Sequence, residues 1–139
     1  MPASVLVDTG ALLALLDADD RWHLRCAEAF ATLCLPLATS AASLAELFHL
    51  LGDDRRELAA AWGLLRSGAV TVLPIADRDL PDLETLMKRY ADRPMDFADA
   101  TLVHLARRER LTTVFTVDHD DFETYRIDGR RRFRIVPPR

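Results

Sequence analysis

Short apolar, β-branched runs alternate along the 139 residues with longer stretches of helical patterning, and this alternation restricts the fold more than any other feature. Ser4-Val5-Leu6-Val7-Asp8 reads as a buried first strand, followed by a helix beginning near Thr9 or Gly10. A second helix is predicted from Arg21 to about Leu33. Pro36 to Thr39 forms a short second strand and runs into the Ser40/Ser43 capping region of a helix through Leu51. Asp53 and Asp54 cap a further helix to about Arg66. Ala69 to Ile75 is the third strand. Asp77 to about Tyr90 and Phe97 to Arg108 are two more helices, Thr112 to Val117 the fourth strand and Arg132 to Val136 the fifth. Strands separated by helices predict an α/β fold, a three-layer α/β/α sandwich around a central, mostly parallel sheet of about five strands. The length suits a single domain over residues 1–139, and there is no repeat or linker to divide it.

In an open parallel sheet, ligands bind beyond the carboxyl ends of the strands, where the strand order reverses. Polar residues directly after apolar strands are therefore the first candidates for a site. Asp8 ends the first strand and Asp118 the fourth. Glu46 lies among Ala, Leu and Phe in the helix after the second strand, an expensive place for an acid without a partner. Asp96 and Asp99 open a helix at i and i+3 and share one face of its first turn.

Each acid has a structural explanation as well. Asp96 suits an N-cap with Asp99 as its N3 partner, and Asp118 could cap a short helix. An acid that abruptly ends a Val-Leu-Val strand rarely serves packing. Carboxylates converging on one end of a sheet repel each other and need raised pKa values or a cation. An all-oxygen set without His or Cys suits Mg²⁺ or Mn²⁺ and is poor for zinc. Such ions stabilise charge on a phosphoryl group and activate an attacking water, so the chemistry points to phosphodiester hydrolysis.

The charge balance alone argues weakly against a nucleic-acid partner without settling the matter. The formal net charge is -4, but a local basic patch matters more than the sum. The start of the chain lacks the basic segment of a secretory signal, and the longest uncharged run, Ala29 to Ala45, contains Pro36 and several hydroxyls. Cys26 and Cys34 would lie about 12 Å apart along a helix, too far for a disulfide. Free thiols without an export signal imply the cytoplasm and no membrane association.

Taken in order, Val5-Leu6-Val7-Asp8-Thr9, Glu46 in its helix, Asp96-Phe97-Ala98-Asp99-Ala100 and Thr116-Val117-Asp118-His119-Asp120-Asp121-Phe122 resemble the four motifs of PIN-domain ribonucleases. The likeness is greatest to the VapC-type toxins of bacterial toxin–antitoxin pairs, and it runs from Val5 to about Pro137. The resemblance implies that Asp8, Glu46, Asp99 and Asp118 are the catalytic acids holding Mg²⁺ or Mn²⁺ directly or through water. It implies Asp96 as a further metal-site acid, Thr9 and Thr116 as supporting hydroxyls, and Asp121 as an adjoining acid. The expected substrate is single-stranded RNA, commonly a loop of tRNA or ribosomal RNA, cut by an activated water without a covalent intermediate. An antitoxin protein and a homodimer are the partners the resemblance implies.

His23 could reach the site from the loop past the first helix, or could pack or cap the second helix. His104 is far around its helix from Asp99 and reads as a surface or core residue, and His49 and His119 carry no signal. Arg130, Arg131 and Arg132 head a basic C-terminal stretch that could track RNA or meet an acidic partner, or could keep an edge strand soluble. Asp77 and Asp79 read as caps and solvated loop acids. The Leu-rich faces of the first helices and of the segment from Leu58 to Leu65 are core or dimer surface.

A haloacid-dehalogenase-type phosphatase would need a second Asp at position 10, which is Gly. A receiver domain would need an acid after the third strand, which ends in Leu73-Pro74-Ile75. The remaining alternatives are a PIN-like binding module without catalysis and a free-standing RNA-processing nuclease. Degenerate relatives lose acids, whereas all four positions are acidic here.

Overall fold

The computed structural model describes residues 2–139. Five strands, β1 (Val5–Val7), β2 (Leu37–Thr39), β3 (Val70–Val72), β4 (Thr113–Phe115) and β5 (Arg134–Val136), form one sheet in the order β3-β2-β1-β4-β5. Every pairing is parallel; the register sets Val5 opposite both Leu37 and Thr113. The chain builds outward from β1 to β2 and β3, then crosses back to β4 and β5. The order therefore reverses between β1 and β4, and the crevice at their carboxyl ends is where this architecture opens.

The helices are α1 (Thr9–Leu16), α2 (His23–Thr32), α3 (Ala41–Leu51), α4 (Arg55–Arg66), α5 (Leu80–Arg89), α6 (Phe97–Glu109) and α7 (His119–Thr124). Because strand side chains alternate faces, one residue parity feeds each helical layer. Leu6, Ala38 and Val114 pack with Leu83, Leu86, Leu102, Leu105 and Phe122 from α5, α6 and α7. Val5, Val7, Leu37 and Phe115 pack with Leu12, Cys26, Leu47, Leu51 and Ala61 from α1 to α4. The predicted three-layer sandwich is the one observed.

Several boundaries differ from the sequence prediction for local reasons. β3 stops at Val72 rather than Ile75, since Pro74 has no amide to continue the ladder. β5 begins at Arg134, because Arg132 is drawn into an antiparallel bridge with Arg126 across a turn. The segment from Asp77 opens as a 3-10 turn over Asp77–Asp79 before α5. Helix α2 starts at His23, after the Trp22 amide donates to Asp20 Oδ1 at 2.8 Å.

Asp79 is the clearest correction. Predicted as a solvated acid, it is 5 % exposed. It accepts from the Ala76 amide at 2.7 Å, stands 2.8 Å from His104 Nε2 and accepts from Arg108 Nη1 at 3.2 Å. These donors, the Ala76 amide first and then His104, hold its carboxyl below the usual range. His104 is accordingly a core histidine in an ion-pairing position, 5 % exposed. The three residues tie the start of α5 to the middle of α6, a contact between segments about 25 residues apart that local pattern cannot reveal.

Candidate active site

Asp8 leaves β1 just as its backbone amide donates to the Phe115 carbonyl at 3.0 Å, so the carboxylate is planted at the β1–β4 boundary. Its Oδ1 accepts from the Thr9 amide at 2.8 Å, which caps α1, and its Oδ2 accepts from Thr116 Oγ1 at 2.9 Å. The same Thr116 hydroxyl accepts from the Asp118 amide at 2.9 Å. One hydroxyl thus sets the positions of both strand-end acids. Gly10 permits this approach: a Cβ there would stand 3.0 Å from Val117 Cγ2.

The other acids arrive on capped helices. Asp96 caps α6 by accepting from the Asp99 amide at 2.8 Å, and Asp118 caps α7 by accepting from the Asp121 amide at 3.2 Å. The capping roles are real, and they also fix where the carboxylates stand. Glu46 is half-buried on α3. Helices α3 and α6 are joined behind the acids by Ser40, whose hydroxyl caps α3 at Ser43 N (3.1 Å) and meets Thr101 Oγ1 at 2.8 Å. Thr9 Oγ1 donates to the Ser43 carbonyl at 3.0 Å, and Thr39 Oγ1 to that of Val7 at 2.9 Å. Of this buried hydroxyl layer only Thr9 was expected, from the family resemblance; Ser40 and Ser43 read as a capping region, and Thr39 and Thr101 carried no signal.

Electrostatics show that the acids converge. Burial pushes the Asp8 carboxyl up to about 6, against the hydrogen bonds from Thr116 and Thr9 and with help from the charges of Asp118 and Glu46. Asp99 is raised to about 8, by burial first and then by Asp8 and Asp96. Asp118 rises to about 6 through desolvation and its contact with Asp121. Glu46 is raised by burial and by Asp96. Asp8, at 8 % exposure, forms the floor of the group, while Asp96 and Asp118 stand exposed at its rim.

Tyr125 was not foreseen. It is fully buried, and its hydroxyl donates to Asp99 Oδ2 at 2.9 Å. Beside it, Arg93 Nη1 donates to Asp121 Oδ1 at 2.9 Å and offsets some of the negative charge. Of the remaining predicted residues, His23 uses Nδ1 on the Ala14 carbonyl at 2.7 Å, a packing role. Arg130 and Arg131 donate backbone amides to Asp128 Oδ1, and Arg131 Nε also reaches Oδ2 at 3.1 Å. Arg132 is exposed on the same turn.

The donor set is oxygen throughout, and its carboxyls are raised by burial and by one another's charge, both of which fit a hard divalent cation. Among the described residues no three His, Cys, Asp or Glu side chains are already closed on one point. The repelling carboxylates are coupled but spread.

This fold, with acids gathered at the switch point of a parallel sheet, defines a class, and residues 5–128 match the PIN domain. The chain belongs to the PIN-domain family. It is 33% identical over 143 residues to "Ribonuclease VapC26" of Mycobacterium tuberculosis, covering 96% of this chain and 100% of that protein. It also matches the crystal structure of VapC20 from the same organism, described as a sarcin-ricin loop cleaving toxin. That match has a TM-score of 0.74 and 26% identity, and covers 84% of this chain and 92% of the other.

Proposed function

We propose that this chain is a metal-dependent endoribonuclease that hydrolyses phosphodiester bonds in single-stranded RNA, and that it is the toxin of a toxin–antitoxin pair. The observation that carries the reading is a buried Asp8 at the sheet's switch point, raised to about 6 with the charges of Asp118 and Glu46 adding to its burial. Asp8, Glu46, Asp99 and Asp118 are the catalytic acids and, with Asp96, the residues that would hold Mg²⁺ or Mn²⁺. When bound, such an ion supplies Lewis-acid stabilisation of the charge building on the phosphoryl oxygens and activates the attacking water.

The chain's own groups prepare that chemistry. Thr116 fixes Asp8 and the Asp118 backbone together. Tyr125 holds one oxygen of Asp99 and leaves the other available. Thr9 ties the first turn of α1 to α3, the helix of Glu46. Arg93 steadies Asp121 next to Asp118. No side chain is asked to act as a nucleophile.

The likeness to a ribonuclease and to VapC20, described as a sarcin-ricin loop cleaving toxin, supports an RNA substrate, which we read as tRNA or ribosomal RNA, with an antitoxin protein and a second copy of the chain as partners. Cys26 and Cys34 are both free, consistent with a cytoplasmic protein. Among the described residues no helix is long and apolar enough to cross a membrane.

The test is cleavage of a mixed tRNA and rRNA pool with Mn²⁺, with Mg²⁺ and with EDTA, alongside Asp8→Asn and Asp99→Asn. Metal-dependent cuts that vanish in both variants are expected. Cleavage that persists in EDTA would refute metal dependence. A folded protein that binds RNA but cuts none of it would instead mark an inactive binding module.

A further inference from the structure

A cleft of about 80 Å³ lies between α5 and α6, away from the acids, with Ile127 and Asp128 on its border. Thr85, Arg89, His104 and Arg107 line it together with Asp82. A volume of that size holds about three waters, enough for one tetrahedral oxyanion and too little for a nucleobase.

The lining is built to receive negative charge. His104 is 5 % exposed, and its Nε2 is engaged by Asp79 at 2.8 Å. Its Nδ1 has no hydrogen-bond partner among the described residues, yet no buried side-chain nitrogen or oxygen there is left unsatisfied. Nδ1 therefore keeps access to open space, and the cleft is the space His104 lines. With Nε2 held by Asp79, the ring is fixed with Nδ1 toward the cleft, where it reports on anything bound there. Arg89 and Arg107 are exposed and form no ion pair among the described residues. Asp128 is already occupied by Arg131 and by two turn amides. Asp82 is left as a single opposing charge.

A short relay of residues joins the cleft to the acidic site. Arg89 ends α5, and the next residue, Tyr90, packs edge-on against Tyr125 with ring centroids 5.1 Å apart. Tyr125 in turn holds Asp99.

We infer that this cleft binds one phosphate group of the RNA strand flanking the bond to be cut, through Arg89 and Arg107, with His104 on its wall. The inference rests on the nuclease reading for the identity of the strand, while the oxyanion chemistry stands on the cleft alone. The site positions substrate and has no part in the bond-breaking step.

The experiment follows the His104 ring resonances by NMR in metal-free protein, adding inorganic phosphate in one arm and a single-stranded RNA oligonucleotide in the other. Both probes are expected to move those resonances, and the double substitution Arg89→Ala, Arg107→Ala is expected to abolish both responses. Both arginines are surface residues, so the fold should persist, and circular dichroism checks this. In the double variant the slope of log affinity for RNA against log salt should fall by about 0.7 per lost phosphate contact. KM for cleavage should rise several-fold with kcat unchanged. A response to phosphate but not to RNA overturns the RNA assignment and leaves a site for free phosphate. No response to either probe overturns the site itself. Loss of kcat with KM unchanged overturns the positioning role. Failure of the wild-type protein to cut any RNA defeats the nuclease reading separately, because the phosphate arm reports without catalysis.

Discussion

Replacing Asp8 by Asn should stabilise the metal-free protein at alkaline pH while abolishing cleavage. Burial and neighbouring acids raise the Asp8 carboxyl from its ordinary 3.8 to about 6. Between those values the folded state binds more protons than the unfolded state. Stability therefore falls as pH rises from about 4 to 6 and stays reduced above that. At about 1.4 kcal/mol per tenfold change, the rise amounts to roughly 3 kcal/mol of strain on a side chain only 8 % exposed. Asn removes the charge but disturbs the bond from Thr116 Oγ1, at about 1 kcal/mol. The net gain is about 2 kcal/mol at pH 8, a rise in Tm of roughly 5–10 °C for a chain of this length. At pH 4 the gain vanishes and the lost hydrogen bond leaves the variant slightly weaker. Thermal unfolding of both proteins from pH 4 to 9 in EDTA measures this. Saturating Mn²⁺ should then stabilise wild type by about 2.7 kcal/mol at a hundredfold excess over Kd, and the variant far less. Should Asp8→Asn be equally destabilising at pH 4 and pH 8, burial and its neighbours do not raise the carboxyl and the reasoning fails.

Three further outcomes follow from the same geometry. Tyr125→Phe keeps the buried ring but removes the donor to Asp99 Oδ2, and should lower kcat roughly tenfold with little change in KM, as read by single-turnover cleavage. Ser40→Ala removes the α3 cap and the link to Thr101, and should cost about 1–2 kcal/mol in urea denaturation. Since Asp8 and Asp118 titrate near 6 and Asp99 near 8, binding of Mn²⁺ must displace protons at neutral pH. Calorimetry in buffers of different ionisation enthalpy should therefore show proton release at pH 7 that disappears by pH 9, with apparent affinity climbing between.

The sheet was legible because its signal is local. Val5-Leu6-Val7 is buried on both faces, so the run is continuously apolar, and each later strand repeats that pattern next to a cap or a breaker. Asp8 and Asp118 were visible for the same reason, as charges that interrupt apolar runs at strand ends. The β3 and β5 limits were less legible, because the edge strands answer to Pro74 and to the Arg126–Arg132 bridge rather than to hydrophobicity.

What the sequence by itself determined is the alternation of elements, the parallel sheet and which acids stand at strand ends and helix starts. These depend on residue type and on neighbours within a turn or two. What only the tertiary structure decided is which side chains meet across the chain. Tyr125 finds Asp99 from 26 residues away, Thr116 finds Asp8 from 108, and Asp79 is buried by His104 and Arg108 rather than left in water. The physical reason is that a hydrogen bond or an ion pair acts over about 3 Å in space, and separation along the chain leaves no periodic trace of it.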